Sequence, residues 1–280
     1  MTPTSSSAVP HPVALGALLA SQPQLPATPR TVALLLSELG RAQPDLKTVS
    51  QLLGGDPGLA MRLLQLANAA FFKMQQRVHS VAEALALVRL GHVRTIAAAC
   101  ASAVAPRALP AGRLQQISRY SADASRVARS LAGALHLNQQ SACSAGLLHC
   151  AGDLAMWLTM PETMAAMDGA CQPLDPLRAL VQRQRLGYNY ADAGAGLARQ
   201  WQFPPAIVAA LAQHEAPLAH TDCEPLAAVV HLAAWRARSR AGGLSQREMA
   251  VSFPGPVGEV LGLDIDMVLQ QDPIDWSGPR

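Results

Sequence analysis

The sequence predicts an all-α protein, and three observations carry that expectation. Half of the residues are apolar yet only 4% are aromatic, so alanine and leucine supply most of the hydrophobic content. Both residues lose little side-chain freedom on a helix, whereas the β-branched and aromatic runs that build strands are scarce. Apolar residues also recur at steps of three and four through most of the chain, the spacing of one helix face.

The elements follow in order. Residues 1–10 are rich in Ser, Thr and Pro with nothing to bury, and read as disordered. A short apolar helix covers 12–20, and the Pro-punctuated SQPQLPATPR leads into a helix with Val32, Leu35, Leu36 and Leu39 on one stripe, stopped by Gly40. Asp56-Pro57 starts the next helix: the carboxylate caps free amides, and proline at the first helical position loses no needed N–H. Leu59, Leu63, Leu66 and Ala67 form its apolar face, and it ends near Asn68. Ser80 and Glu83 make a capping box for a helix bearing Val81, Ala84, Leu85 and Val88. Gly91 breaks the chain before a helix through Ile96 to about Val104. After Pro106 and Pro110, the longest periodic segment carries Leu114, Ile117, Ser121, Ala124, Ala128, Leu131 and Leu135, a narrow seam suited to close packing. Ser141–Met160 reads as one central buried helix. Further helices fall around 174–186, 190–201, 204–213 and 224–239, and the stretch from 250 is a Gly/Pro-rich tail with a short helix before Met267.

Composition excludes several classes. Five cysteines without a CxxC pair suit neither a disulfide framework nor a zinc knuckle, so they read as reduced thiols. The N-terminus lacks the basic segment of a signal peptide, and no apolar run reaches a membrane span without a charge or proline. The expectation is a cytoplasmic chain with no membrane contact and no cofactor. No βαβ alternation, glycine-rich phosphate loop or Ser-centred elbow appears. The net charge of +3 is unevenly held: residues 1–140 carry 13 Lys and Arg against 5 Asp and Glu, and the remainder 9 against 14. Solvated helix faces account for this most simply; an acidic partner or head-to-tail contact between chains in a homo-oligomer is the sharper alternative. Arg62, Lys73, Arg77, Arg89 and Arg94 are the candidate basic surface. The basic excess is spread over many helices and nothing resembles a helix-turn-helix, which argues against DNA.

Few residues invite chemistry. His149-Cys150 is a histidine beside a thiol, but neighbouring positions on a continuous helix point about 100 degrees apart and diverge. Asp153 follows four residues later, a spacing at which it could share a face with His149, as a helix-surface hydrogen bond as readily as half a site. His214 ends a helix, where the macrodipole favours its charge. Tyr120 and Tyr190 read as core anchors with bonded hydroxyls.

These residues carry a family resemblance. The stretch from LPATPRTVALLLSEL through DPGLAMRLLQLANAAFFKMQQRVHSVAEALALVRLGHVRTI resembles the front of an HDOD domain, the output-domain relative of HD phosphohydrolases. Asp56, Pro57, Asn68 and Gly91 belong to that pattern as structural residues. The likeness continues through SRYSADASRVARSLA, GLLHCAGDLAMW, YADAGAGLARQWQFPPAIVAALAQHEAP and VVHLAAW, covering residues 22–240. It implies a multi-helical HD-like bundle with an N-terminal helical subdomain: 1–21 a tail and short helix, 22–106 the N-terminal part, 107–245 the HD-like part, and 246–280 a C-terminal tail. HD enzymes hold metal with a histidine, a His-Asp doublet and a late aspartate. The resemblance puts these positions at Tyr120, His149-Cys150 and Ala234, with further histidine positions at Tyr190 and His214. Only two histidines of that set remain, too few for metal-activated water. The resemblance therefore implies a bacterial, non-enzymatic regulatory module that contacts other signalling proteins. A nucleotide or cyclic-dinucleotide sensor using the vacated pocket, and a residual metal-dependent phosphohydrolase, are the alternatives.

Overall fold

The computed structural model describes residues 13–71, 77–102, 109–110 and 112–270, and among them every regular element is helical. The expectations for residues 1–10, for Lys73 and for the 103–108 end of a helix lie outside those residues. The first part contains α1 (Leu15–Ala20), α2 (Pro29–Leu39), α3 (Leu46–Gly54), α4 (Pro57–Phe71), α5 (Val81–Leu87) and α6 (Leu90–Ser102). The second contains α7 (Arg113–Ala134), α8 (Gln139–Leu148), α9 (Ala151–Thr159), α10 (Pro161–Ala170), α11 (Arg178–Leu186), α12 (Tyr190–Gln200), α13 (Pro205–Gln213) and α14 (Pro225–Ala241). Then come α15 (Gln246–Ser252), α16 (Gly255–Leu261) and α17 (Ile265–Leu269).

Caps set the first part. Asp56 Oδ1 accepts the amides of Gly58 and Leu59 at 3.0 and 3.1 Å, while Oδ2 accepts Thr28 N at 2.8 Å, so one buried carboxylate starts α4 and anchors the start of α2. Asn68 does not end α4 but sits a turn inside it. Its side chain donates to the Leu64 and Val78 carbonyls and accepts Val78 N at 2.9 Å, pinning Val78 to α4. Gly91 is likewise not the break. The chain leaves α5 at Val88 and Arg89, and Gly91 lies in the first turn of α6.

The second part is built on α7, whose 22 residues span about 33 Å. Ile117, Ser121, Ala124, Ala128 and Leu131 are buried on it, and α8 and α14 pack against it. Gly146 makes that approach close: a Cβ there would lie 2.9 Å from the Ala124 carbonyl oxygen. The helix expected over Ser141–Met160 is two helices, parted at His149 and Cys150, where Cys150 ψ is +4°. The break bends the chain so that α9 can lie across α12.

Four further differences from the expected helices stand out. α3 has no counterpart among the expected helices, although Asp45 caps it through Lys47 N and Thr48 N. α10, started by Pro161, was also unassigned, and α11 begins at Arg178 rather than near 174. The stretch from 246 is not a plain tail: α16 and α17 pack against α14, burying Val257, Leu263 and Val268. The two parts touch through α4 against α7 and α8 and through α1 against α9 and α12. His79 links them further, its Nδ1 2.8 Å from Ser141 Oγ and its carbonyl accepting Ser144 Oγ–H at 2.7 Å. Among the described residues no helix is long and apolar enough to cross a membrane.

Candidate functional site

Six side chains or backbone groups singled out by the sequence meet where α7, the α8–α9 break, α12, α13 and α14 converge. The Tyr120 ring meets His149 edge-on at 4.8 Å, His149 meets His214 edge-on at 5.5 Å, and Tyr190 lies 5.8 Å from His214. Tyr120 OH donates to the Ala234 carbonyl at 3.3 Å, which brings in the sixth position. Cys150 Sγ lies 3.3 Å from His149 Nε2. The two side chains therefore converge, contrary to the continuous-helix expectation, because the helix breaks between them.

The tautomers follow from the acceptors. His149 Nδ1 is 2.7 Å from the Gly146 carbonyl, and a carbonyl can only accept, so Nδ1 carries the proton. Nε2 then holds a lone pair that accepts the Cys150 S–H. Burial pushes the Cys150 thiol well up, so it stays protonated as that donor. Burial, then the neighbouring His214, brings His149 down to about 3. This pair is a neutral imidazole and a neutral thiol, not the thiolate–imidazolium of a cysteine nucleophile.

His214 behaves alike. Nδ1–H donates to the Leu211 carbonyl at 2.9 Å, and burial lowers the ring's pKa, overriding the helix-end effect expected from sequence. Its Nε2 comes within 3.5 Å of Glu215 Oε1, but a neutral ring makes no ion pair, and Nε2 is left without a hydrogen-bond partner. Tyr190 OH donates to Glu215 Oε1. Arg238 donates to Tyr120 OH at 3.3 Å and stands 4.0 Å from Glu215. Neither Glu215 nor Arg238 stood among the sequence candidates; the turn-by-turn spacing of α14 puts Arg238 four residues after Ala234, which is the signal that could have found it.

Because these histidines are neutral when folded, acid acts in one direction. An unfolded histidine takes up a proton near its ordinary value of 6.5, whereas folded His149 resists to about 3. Its contribution is intact above pH 6.5 and is lost as pH falls from there toward 3. By linkage, His149 alone lowers stability by about 2 kcal/mol at pH 5, and His214 and His231 act in the same sense. Urea midpoints measured from pH 8 to pH 4 should fall steadily below about pH 6.5, and a flat profile would contradict buried neutral imidazoles.

Asp153 does not share a site with His149. Its Oδ1 accepts Arg178 Nε and Gln182 Nε2, each at 3.1 Å. Of the basic candidates, Arg62 donates to the Leu25 carbonyl, Arg77 to the Gln202 carbonyl and Arg94 to the Leu39 carbonyl, so three serve contacts within the chain. Arg89 is exposed.

The family model for the HDOD domain matches residues 25–217. The chain belongs to the HDOD family. Solved structures share the HDOD fold. The MmoQ response regulator from Methylococcus capsulatus strain Bath is 23% identical, with 89% of this chain and 97% of that one covered and a TM-score of 0.70. A virulence factor from Campylobacter jejuni subsp. jejuni is 18% identical over 92% and 98% of the chains, with a TM-score of 0.59. A protein classed only provisionally as a phosphohydrolase, from Shewanella amazonensis SB2B, is 25% identical over 93% of each chain, with a TM-score of 0.54. No curated protein matches the chain significantly.

The metal that HD enzymes hold does not fit this HDOD chain. His149 Nε2 lies against the Cys150 thiol, Glu215 Oε1 accepts the Tyr190 hydroxyl, and His214 Nε2 has no hydrogen-bond partner. Among the described residues no three His, Cys, Asp or Glu side chains are grouped to hold an ion. The space between Tyr120, Cys150, Tyr190 and Arg238 is about 10 Å³, room for one water and far below a nucleotide.

Proposed function

We propose that this HDOD protein is a non-enzymatic regulatory module of bacterial signal transduction, acting in the cytoplasm through contacts with other signalling proteins. The observation that supports it most is the Cys150 thiol lying 3.3 Å from His149 Nε2. Where the family resemblance implies a bridging carboxylate, a neutral S–H occupies the histidine lone pair that a metal would need. Tyr120 and Ala234 replace two more ligands with groups that bring no charge, and the rings close the space between them. The same closure argues against a nucleotide in the vacated pocket. Similar folds occur in a protein described as a response regulator and in one described as a virulence factor.

The test has two arms. Full-length protein dialysed against Fe²⁺, Mn²⁺ or Zn²⁺ should retain no stoichiometric metal, melt identically with and without EDTA, and leave bis(p-nitrophenyl) phosphate intact. Stoichiometric metal with turnover would overturn the reading. In the native host, affinity capture with the whole chain should return a reproducible regulatory partner, and failure of every capture would remove the contact half. Arg89→Glu, at an exposed position, should weaken that capture if the basic front takes part.

A further inference from the structure

Beside the closed cluster, α14 turns one face toward a cleft of about 510 Å³. His231, Trp235, Arg238 and Ser239 line it, and their spacing of three and four residues places them on one side of the helix. Leu174, Leu244 and Pro254 form facing walls. A volume in the hundreds of Å³, apolar walls and a few convergent polar groups are the marks of a small-molecule site.

The guanidinium of Arg238 is short of acceptors. Of its five N–H donors, Nη2 makes one long bond to Tyr120 OH at 3.3 Å, and Nε is buried without a partner. The nearest carboxylate, Glu215, stands 4.0 Å away and already accepts the Tyr190 hydroxyl. A guanidinium partly withdrawn from water, at 22% side-chain exposure, and so sparsely bonded favours a planar oxyanion that accepts two parallel N–H bonds. Beside it, Trp235 is held rigid, edge-on to Phe253 at 5.2 Å with its Nε1–H on Ser252 Oγ at 3.3 Å. It offers a fixed aromatic wall. His231 donates Nδ1–H to the His214 carbonyl at 2.7 Å, so its Nε2 remains an acceptor.

We propose that this cleft binds a small organic anion, with a carboxylate or phosphate head on Arg238 and an aromatic or apolar body against Trp235, Leu174 and Pro254. The occupant would touch α14 and the segment joining it to α16 at once. Through Arg238 it would also bear on Tyr120 and Glu215, so its arrival is read by the buried cluster without entering it. The inference is independent of the protein-contact reading: a chain that binds no partner could still bind the anion.

Calorimetric titration of the full chain with phenyl phosphate and indole-3-acetate, beside uncharged phenol and indole-3-acetamide, tests it. At least one anion should bind, about tenfold or more tighter than its uncharged counterpart, and the pair tells a phosphate head from a carboxylate head. Arg238→Gln should lose that advantage. Because Arg238 also supports the fold, Gln116→Trp provides a second variant: Gln116 is exposed on α7 at the rim of the cleft, where an indole would fill space without disturbing the core. It should weaken anion binding by about tenfold or more while helical circular dichroism stays unchanged. The proposal is overturned if neither anion binds at ~10 mM, well above the range of specific small-molecule sites. Equal binding of charged and uncharged forms, or wild-type titration by Gln116→Trp, would overturn it as well.

Discussion

Replacing Gly152 with alanine is expected to destabilise the protein by about 3 kcal/mol or more, the upper end for overpacking a core. Gly152 lies on α9 where it crosses α12, and the added Cβ would stand 1.9 Å from the Tyr190 carbonyl oxygen and 2.6 Å from Gly194 N. These are backbone atoms, which cannot rotate aside as a side chain would. The helices must separate, and with them goes Tyr190, whose hydroxyl holds Glu215 and whose ring faces His214. Set against a total stability of about 5–15 kcal/mol for a typical domain, the loss is large. Urea unfolding followed by circular dichroism measures it. Gly169→Ala in α10 is the control: nothing lies within 4 Å of its added Cβ, so its midpoint should move by no more than about 0.5 kcal/mol equivalent. Equal effects at the two glycines would remove the close crossing as the cause.

The second large effect is expected at Arg178, which is 1% exposed. Its Nε donates to Asp153 Oδ1 at 3.1 Å and its Nη1 to the Cys171 carbonyl at 3.0 Å. Nη1 also lies 2.8 Å from Asp168 Oδ1, as an ion pair rather than an aligned hydrogen bond. Asp168 meets Arg113 as well, and Arg113 lies over the Trp157 ring, 5.5 Å from its centroid. The network therefore joins α7, α9, α10 and α11. Arg178→Met would leave Asp153 buried with only Gln182 as a donor, at a cost of about 3–5 kcal/mol. The charge, not the volume, drives that loss. Asp153→Leu combined with Arg178→Met should therefore recover part of it, since apolar replacement of a whole buried pair is often near neutral. A double variant as unstable as the sum of its singles would show that the pair does not act as a unit.

Much of the fold was legible because its determinants are local. Asp56 reaches amides two and three residues ahead, and Ser80 accepts Glu83 N, although the Glu83 carboxylate accepts His79 N rather than closing the box on Ser80 N. The seam of α7 repeats within a single helix and is buried along its length. The errors arose where a local pattern was overruled. Ser141–Met160 is apolar on all sides, so no change of face marked the break at His149 and Cys150. Gly91 looked like a stop, yet an early turn of a helix tolerates glycine where packing of α6 against α2 supports it. His214 looked favoured as a cation by its helix end, but desolvation in the core outweighs a dipole that acts best near solvent.

The sequence by itself determined the helical class, most helix starts and the HDOD pattern. Helix periodicity and capping act over a few residues and leave a readable trace. Only the tertiary structure decided what those positions became. Arg238 meets Tyr120 across 118 residues of sequence, and Arg178 meets Asp153 across 25. Which donor finds which acceptor over such distances depends on how helices cross, and a single sequence does not encode that in any short window. How the helices cross left room for about one water between Tyr120, Cys150, Tyr190 and Arg238. It also left a separate cleft open beside it, with an under-satisfied guanidinium at its wall.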